Sequence, residues 1–215
     1  VEIYREYLPD ALVEPFRRPY RAADRVLYYE LSNPQYRALL PGGEDCGLTA
    51  RPFDPVKVAA IRAAHRQPIV FCSIGFSNQG LAKPLQAGGL PYDFITTAEL
   101  AMEGENVTRL GPVEDMQNYA AAADYCIAKA GWGTVAEILL AGKPAALMGR
   151  DTVAEDRMTI QQLEERRAAI KVQVDELADM AGVMARLVRF AENQFRPGHY
   201  RNNAPFIVDR LLAGH

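Results

Sequence analysis

The chain has 215 residues, room for one large domain or two small ones, and its 49% hydrophobic and 24% charged residues are those of an ordinary soluble globular protein. A net charge of −3, with arginines scattered rather than run together, gives no footprint for nucleic acid. No apolar stretch approaches the roughly 20 residues that span a bilayer, no signal peptide is expected at the start, and a total of three histidines argues against a histidine-rich metal site.

Taken in order, residues 1–23 read as helix cut into short pieces by Pro9, Pro15 and Pro19. Arg25 to Leu31 is a strand candidate, followed by turns at Asn33-Pro34 and Pro41-Gly42-Gly43. Residues 49–56 read as a linker and Val56 to His65 as a short helix. Pro68 to Ile74 is a buried strand that runs into Gly75-Phe76-Ser77-Asn78-Gln79-Gly80, where glycine lets backbone N–H groups approach a phosphate. Ser77 as a hydrolase nucleophile lacks plausible Asp and His partners at later strand ends. Tyr92 to Thr97 and Val107 to Val113 are further strands, and Asp115 to Ala123 is a helix with Met116, Tyr119 and Ala120 on an apolar face. Past Arg157 come a helix over 158–167, a strand from Ile170 to Val174, a long amphipathic helix from Glu176 to Asn193 and a last helix from Ala204 to Leu212. Cys72 and Cys126 sit in apolar runs, and with Cys46 they make an odd count without C-x-x-C spacing. Buried free thiols and a reducing, cytoplasmic setting are expected. The first residue is Val rather than Met, so a processed or truncated piece is expected.

Residues 124–157 organise the rest. An apolar run, Tyr125 to Ala128, ends at Lys129. Gly131-Trp132-Gly133-Thr134 follows, then a helical segment from Val135 to Ala141 that stops at Gly142. Pro144 to Met148 is a second apolar run, leading into the acidic segment from Arg150 to Arg157. In open parallel α/β sheets ligands bind beyond the carboxyl ends of the strands. A helix start preceded by glycines offers free N–H groups and the positive end of a dipole to an anion. Lys129 adds a charge there, and Glu137 lies one turn beyond Thr134, able to accept from sugar hydroxyls. The pattern reads as a diphosphate seat with a carboxylate nearby. Trp132, the single tryptophan, either packs under the turn or lines the site.

Lys129 to Glu137, with Gly142-Lys143-Pro144, resembles the donor-binding motif of GT-B glycosyltransferases. The match is to the carboxyl-terminal nucleotide-sugar-binding domain of the family 28 type. Plant UDP-sugar transferases carry a similar His-Cys-Gly-Trp-Asn-Ser-x-x-Glu run, and the peptidoglycan GlcNAc transferase a similar Gly-x-x-Thr-x-x-Glu. The glycosyltransferase-like half of plant arabinokinases is similar too, with Arg150-Asp151 matching the Arg-Arg-Asp segment that follows its motif. The resemblance implies that Gly131, Gly133 and Thr134 line the diphosphate, that Glu137 holds the ribose, and that Lys129 stands where the plant motif has a phosphate-contacting His. It further implies that Gly75, Ser77 and Asn78 approach the phosphates and that Pro112 and Val113 lie beside the nucleobase. In the acidic segment Glu155 and Asp156 would meet sugar hydroxyls and Arg150 or Arg157 a phosphate. An exposed, dipole-favoured helix start is the other reading of that segment. Family members place Gln near here, whereas Gln161 and Gln162 come later, which leaves the donor sugar open.

The expected fold is α/β, a Rossmann-like doubly wound parallel sheet. Residues 1–48 would be a remnant of the amino-terminal GT-B half, 49–67 the linker and first helix, and 68–215 the nucleotide-sugar-binding domain. The expected function is binding of a nucleotide sugar, UDP-linked by preference, in an enzyme that transfers a hexosyl group to a hydroxyl. Alternatives are a nucleotide-sugar hydrolase or epimerase, or a non-catalytic nucleotide-binding or interaction domain. No cofactor or metal is called for, since Lys129 and the helix dipole can offset the leaving charge. No residue is a convincing base, so catalytic residues stay unassigned. Partners expected are the nucleotide sugar and either a second copy or a separate amino-terminal half; peripheral membrane contact stays open.

Overall fold

The computed structural model describes residues 8–75, 83–112 and 114–213. Its elements are α1 (Asp10–Arg21), β1 (Leu27–Tyr29), α2 (Pro34–Leu39), β2 (Glu44–Gly47), α3 (Pro55–Ala63), β3 (Ile69–Ser73), β4 (Leu85–Gln86), β5 (Asp93–Thr96), β6 (Met102–Glu103) and β7 (Val107–Arg109). There follow α4 (Gln117–Ala122), β8 (Tyr125–Lys129), α5 (Trp132–Ala141), β9 (Ala145–Met148), α6 (Ala154–Glu165), β10 (Ala169–Val172), α7 (Met180–Asn193) and α8 (Ala204–Leu212).

Six strands form one sheet in the order β10-β9-β8-β3-β5-β7, every pair parallel. The chain grows outward from β3 through β5 to β7, then returns to lay β8, β9 and β10 on the other side of β3. This is the expected doubly wound sheet. Both faces are covered, which is why the central strands read as unbroken apolar runs. Ile69, Phe71, Cys126 and Ala128 pack with Val135, Ile138, Leu139 and Leu163. Val70, Cys72 and Ile127 pack on the other side with Met180, Met184, Leu187 and Phe190. All three cysteines are buried and unpaired. Burial pushes the Cys126 thiol up to about 12 and raises Cys72 as well, so neither is a nucleophile at neutral pH.

Several boundaries differ from the sequence reading. Helix α1 runs unbroken through Pro15 and Pro19. Both prolines lie on its exposed side, and ion pairs of Arg17 with Asp10 and Glu14, and of Arg21 with Glu14, bridge its turns. Asn33-Pro34 opens helix α2 rather than a turn: the Asn33 Oδ1 accepts from the Gln35 amide, and proline suits a first helical position. Strand β2 was missed. Strand β7 stops at Arg109, short of Val113. Helix α5 begins at Trp132, not Val135, and α6 at Ala154, so Glu155 and Asp156 belong to its first turn. The expected helix over 176–193 is two pieces, a 3-10 turn over Asp175–Ala178 and α7, because the Asp179 carboxylate accepts from the Gly182 amide and restarts the helix. Gly142, at φ +64°, ends α5 in the left-handed conformation that favours glycine.

Strands β1 and β2 form a separate parallel pair. The carboxyl-terminal segment ties it down: the Asn203 amide donates to Leu48 O, Asn203 Nδ2 to Cys46 O, and Arg210 pairs with Glu44. Arg166 pairs with Glu30, and Gln162 Nε2 donates to Leu31 O.

The connection from β9 to α6 is held by one carboxylate. Asp156 is 2% exposed and accepts from the Arg150 amide at 2.9 Å, from Nε at 2.9 Å and from Nη2 at 3.1 Å. Burial alone would raise its pKa; the hydrogen bonds from Arg150 and the charges of Arg150 and Lys129 outweigh it and hold the carboxyl below the usual aspartate range. A depressed native pKa stabilises the fold above the unfolded value of about 3.9, and that contribution is lost as pH falls through the native pKa. Asp156→Asn is therefore expected to lower unfolding free energy at pH 7 by about 2 kcal/mol. Urea unfolding from pH 7 to pH 2 should show the gap to the parent closing in acid; a pH-independent gap would mean the carboxylate charge is not what holds the loop.

Candidate functional site

Strand order reverses beside β3, and in open parallel sheets that reversal is where a crevice forms at the carboxyl ends of the strands, here those of β3 and β8. The parallel register brings the strand ends side by side: Ser73 is opposite Ala128, and Lys129 is opposite Met148. Gly75, just beyond β3, has φ +55°, and no described residue lies within 4 Å of where a Cβ would stand. Ser77, Asn78 and Val113 lie outside the described residues.

Across the crevice, Gly131 precedes the first turn of α5 with no side chain capping it. The Ala130 amide donates to Met148 O and the Gly131 amide to Lys129 O; the first helical bond is from Val135 to Gly131 O. The amides of Trp132, Gly133 and Thr134 therefore have no acceptor among the described residues, as expected for a helix start. No described residue lies within 4 Å of the position a Gly133 Cβ would take. At Gly131 a Cβ would come 3.7 Å from Lys129 Cε, which places the lysine stem alongside the turn. The Lys129 ammonium has no hydrogen-bond or salt-bridge partner among the described residues. Its charge, three free amides and the helix dipole make this corner a place for an anion.

The other expected residues are placed less simply. Trp132 packs: its ring lies 4.9 Å from that of Tyr29, and its Nε1 is buried without an acceptor among the described residues. Arg150 and Asp156 sit at the same end of the sheet but face each other, and both Asp156 oxygens are taken. Glu155 is exposed on the first turn of α6. Glu137 is 7% exposed, and its Oε1 accepts from Arg51 Nε at 3.1 Å and Nη2 at 2.9 Å. Arg51, from the linker, also donates through Nη1 to Glu114 O. Sequence reading missed Arg51, because a contact across 86 positions leaves no local pattern. His65 pairs with Asp93 at the opening residue of β5, the far end of the sheet from the crevice, and His199 is exposed in the tail. Among the described residues no group of three His, Cys, Asp or Glu could hold a metal. No described helix is long and apolar enough to cross a membrane.

Solved structures share the fold. The glycosyltransferase SnogD from Streptomyces nogalater is 15% identical, with a TM-score of 0.54 over 96% of this chain and 61% of its own. MurG from Acinetobacter baumannii is 18% identical, with a TM-score of 0.51 over 89% of this chain and 67% of its own. SsfS6 from Streptomyces sp. SF2575, in a structure complexed with thymidine diphosphate, is 16% identical, with a TM-score of 0.51 over 90% of this chain and 53% of its own. The chain thus spans 61% of SnogD and 53% of SsfS6. A search of curated proteins finds no match. The family described as "Glycosyltransferase family 28 C-terminal domain" matches residues 85–211, more than half of the chain, and the chain belongs to it.

Proposed function

We propose that this chain is the donor-binding part of a GT-B glycosyltransferase, seating a nucleotide sugar in the crevice between β3 and β8. The reading rests on the open first turn of α5, where the amides of Trp132, Gly133 and Thr134 stand beside Lys129 without an acceptor among the described residues. Membership of the family supports it. In this reading the diphosphate takes the amides and Lys129, and the ribose takes Glu137. The donor is UDP-linked and the group transferred is a hexosyl unit. As the sugar departs, charge grows on the diphosphate and the amides and lysine stabilise it, an effect that strengthens as water is excluded. The domain proper is residues 68–215, with 49–67 as linker and first helix. The buried thiols support a reducing, cytoplasmic setting.

Residues 1–48 we assign to the other half of the enzyme. Leu8, Leu12, Phe16 and Tyr20 recur every fourth residue and are all exposed. Between α1 and β1 lies a cavity of about 430 Å³ lined by Tyr20, Tyr28, Tyr29, Leu39 and three arginines, Arg17, Arg21 and Arg25. Strands β1 and β2 pair only with each other among the described residues. An apolar stripe and open strand edges favour pairing with a second α/β unit. That unit would also hold the acceptor in line and supply the base, since neither His65 nor His199 lies at the crevice.

Two outcomes are expected. Calorimetry across UDP, dTDP, GDP and ADP should show binding, strongest for UDP, and Glu137→Ala should weaken UDP about 10-fold while sparing inorganic pyrophosphate. No binding of any of them would remove the reading, and equal losses for UDP and pyrophosphate would remove the ribose role. The chain alone should run in light scattering as a dimer and release negligible nucleoside diphosphate from a UDP-sugar, with turnover appearing when the amino-terminal half is added. A monomer at high concentration, or robust turnover by the chain alone, would refute the assignment of residues 1–48.

A further inference from the structure

The linker after β2 is strapped to α4, to the residues just before it and to α5. Gln117 Nε2 donates to Pro52 O, the Asp54 amide to Asn118 Oδ1, and Lys57 pairs with Asp115. Arg51 is the centre of this strap. Its Nε and Nη2 both bond the same oxygen of Glu137, Oε1, and its Nη1 bonds Glu114 O, so the guanidinium plane is fixed at three corners. The carboxylate side chain is 10% exposed, and no described residue donates to Oε2. A nearly buried carboxylate without a partner would be costly and would turn toward water. With both N–H groups on Oε1, Glu137 is held in one rotamer and offers Oε2 alone. Oε2 can only accept, so a hydroxyl suits it and a phosphate does not.

We infer that Arg51 is a positioning residue that fixes Glu137 to accept from the hydroxyls of the bound nucleoside, so that recognition of the nucleoside depends on the linker. This rests on the reading of Glu137 as the ribose carboxylate. Arg51 acts only through Glu137 and makes no contact with the diphosphate. Loss of Arg51 should then cost nucleoside recognition and nothing else. Lysine keeps the charge but not the two-pronged fork, and should restore only part of it.

The test is calorimetry on the full chain with UDP and with inorganic pyrophosphate, for the parent, Arg51→Ala, Arg51→Lys, Glu137→Ala and the double alanine variant. Arg51→Ala should weaken UDP about 10-fold and Arg51→Lys about 3-fold, with pyrophosphate unchanged for both. The double variant should bind UDP no more weakly than Glu137→Ala alone, since Arg51 has nothing left to position. Unchanged pyrophosphate binding also shows that each variant is folded. Parental UDP affinity in Arg51→Ala, losses that multiply in the double variant, or an equal loss of pyrophosphate would each overturn the proposal. If Glu137→Ala binds UDP as the parent does, the ribose reading fails first and this proposal with it. If Glu137→Ala is weakened and Arg51→Ala is not, only the proposal fails.

Discussion

The reversal of strand order beside β3 sets the geometry on which the rest depends. With β5 and β7 on one side and β8 to β10 on the other, the order turns between β3 and β8, the place where open parallel sheets bind ligands. Parallel pairing then puts every strand's carboxyl end on one side of the sheet, so Gly75 shares a rim with Lys129 and the first turn of α5, from which it is distant in sequence. Apolar layers on both faces fix the strands from above and below, so the rim is built on the rigid part of the molecule.

Charge is arranged along that rim in an order that suits a bipartite ligand. At the end of β8 the free amides and Lys129 present positive potential. Further along α5 stands the Glu137 carboxylate, already held by Arg51. In the proposed reading the anionic end of the ligand takes the first and its hydroxyls the second. Asp156 would oppose an anion if its charge were free, yet its pairing with Arg150 spends that charge on closing the β9–α6 connection. The corner therefore keeps its positive character despite an acidic segment close by.

What could be read from sequence follows from what is locally encoded. Strands β3, β8 and β9 stood out because burial on both faces makes them short apolar runs, and the Gly-rich turn after β8 stood out by composition. The start of α5 did not: Gly131-Trp132-Gly133 reads as a turn, because glycine is poor in helix interiors, and packing of Trp132 on Tyr29 accompanies the early start. Helix α1 survives prolines that local rules would make breaks. Strands β4 and β6 have two residues each, too few to show a period. The partners of the acidic residues were the least legible. Arg150 and Asp156 are six apart and still read as ligand contacts, because sequence does not say which way a side chain faces. Arg51 was seen only as part of a linker, since nothing near it in the chain announces Glu137.

The first turn of α5 is the seat we propose for a nucleoside diphosphate. Amide chemical shifts of the ¹⁵N-labelled chain, followed as UDP is added, report on it directly. The expected result is saturable movement of the Trp132, Gly133 and Thr134 amide signals, with the Arg51 Nε–H signal moving alongside them as Glu137 takes up the ribose. Signals that stay in place there, or that move only around the cavity between α1 and β1, would contradict it.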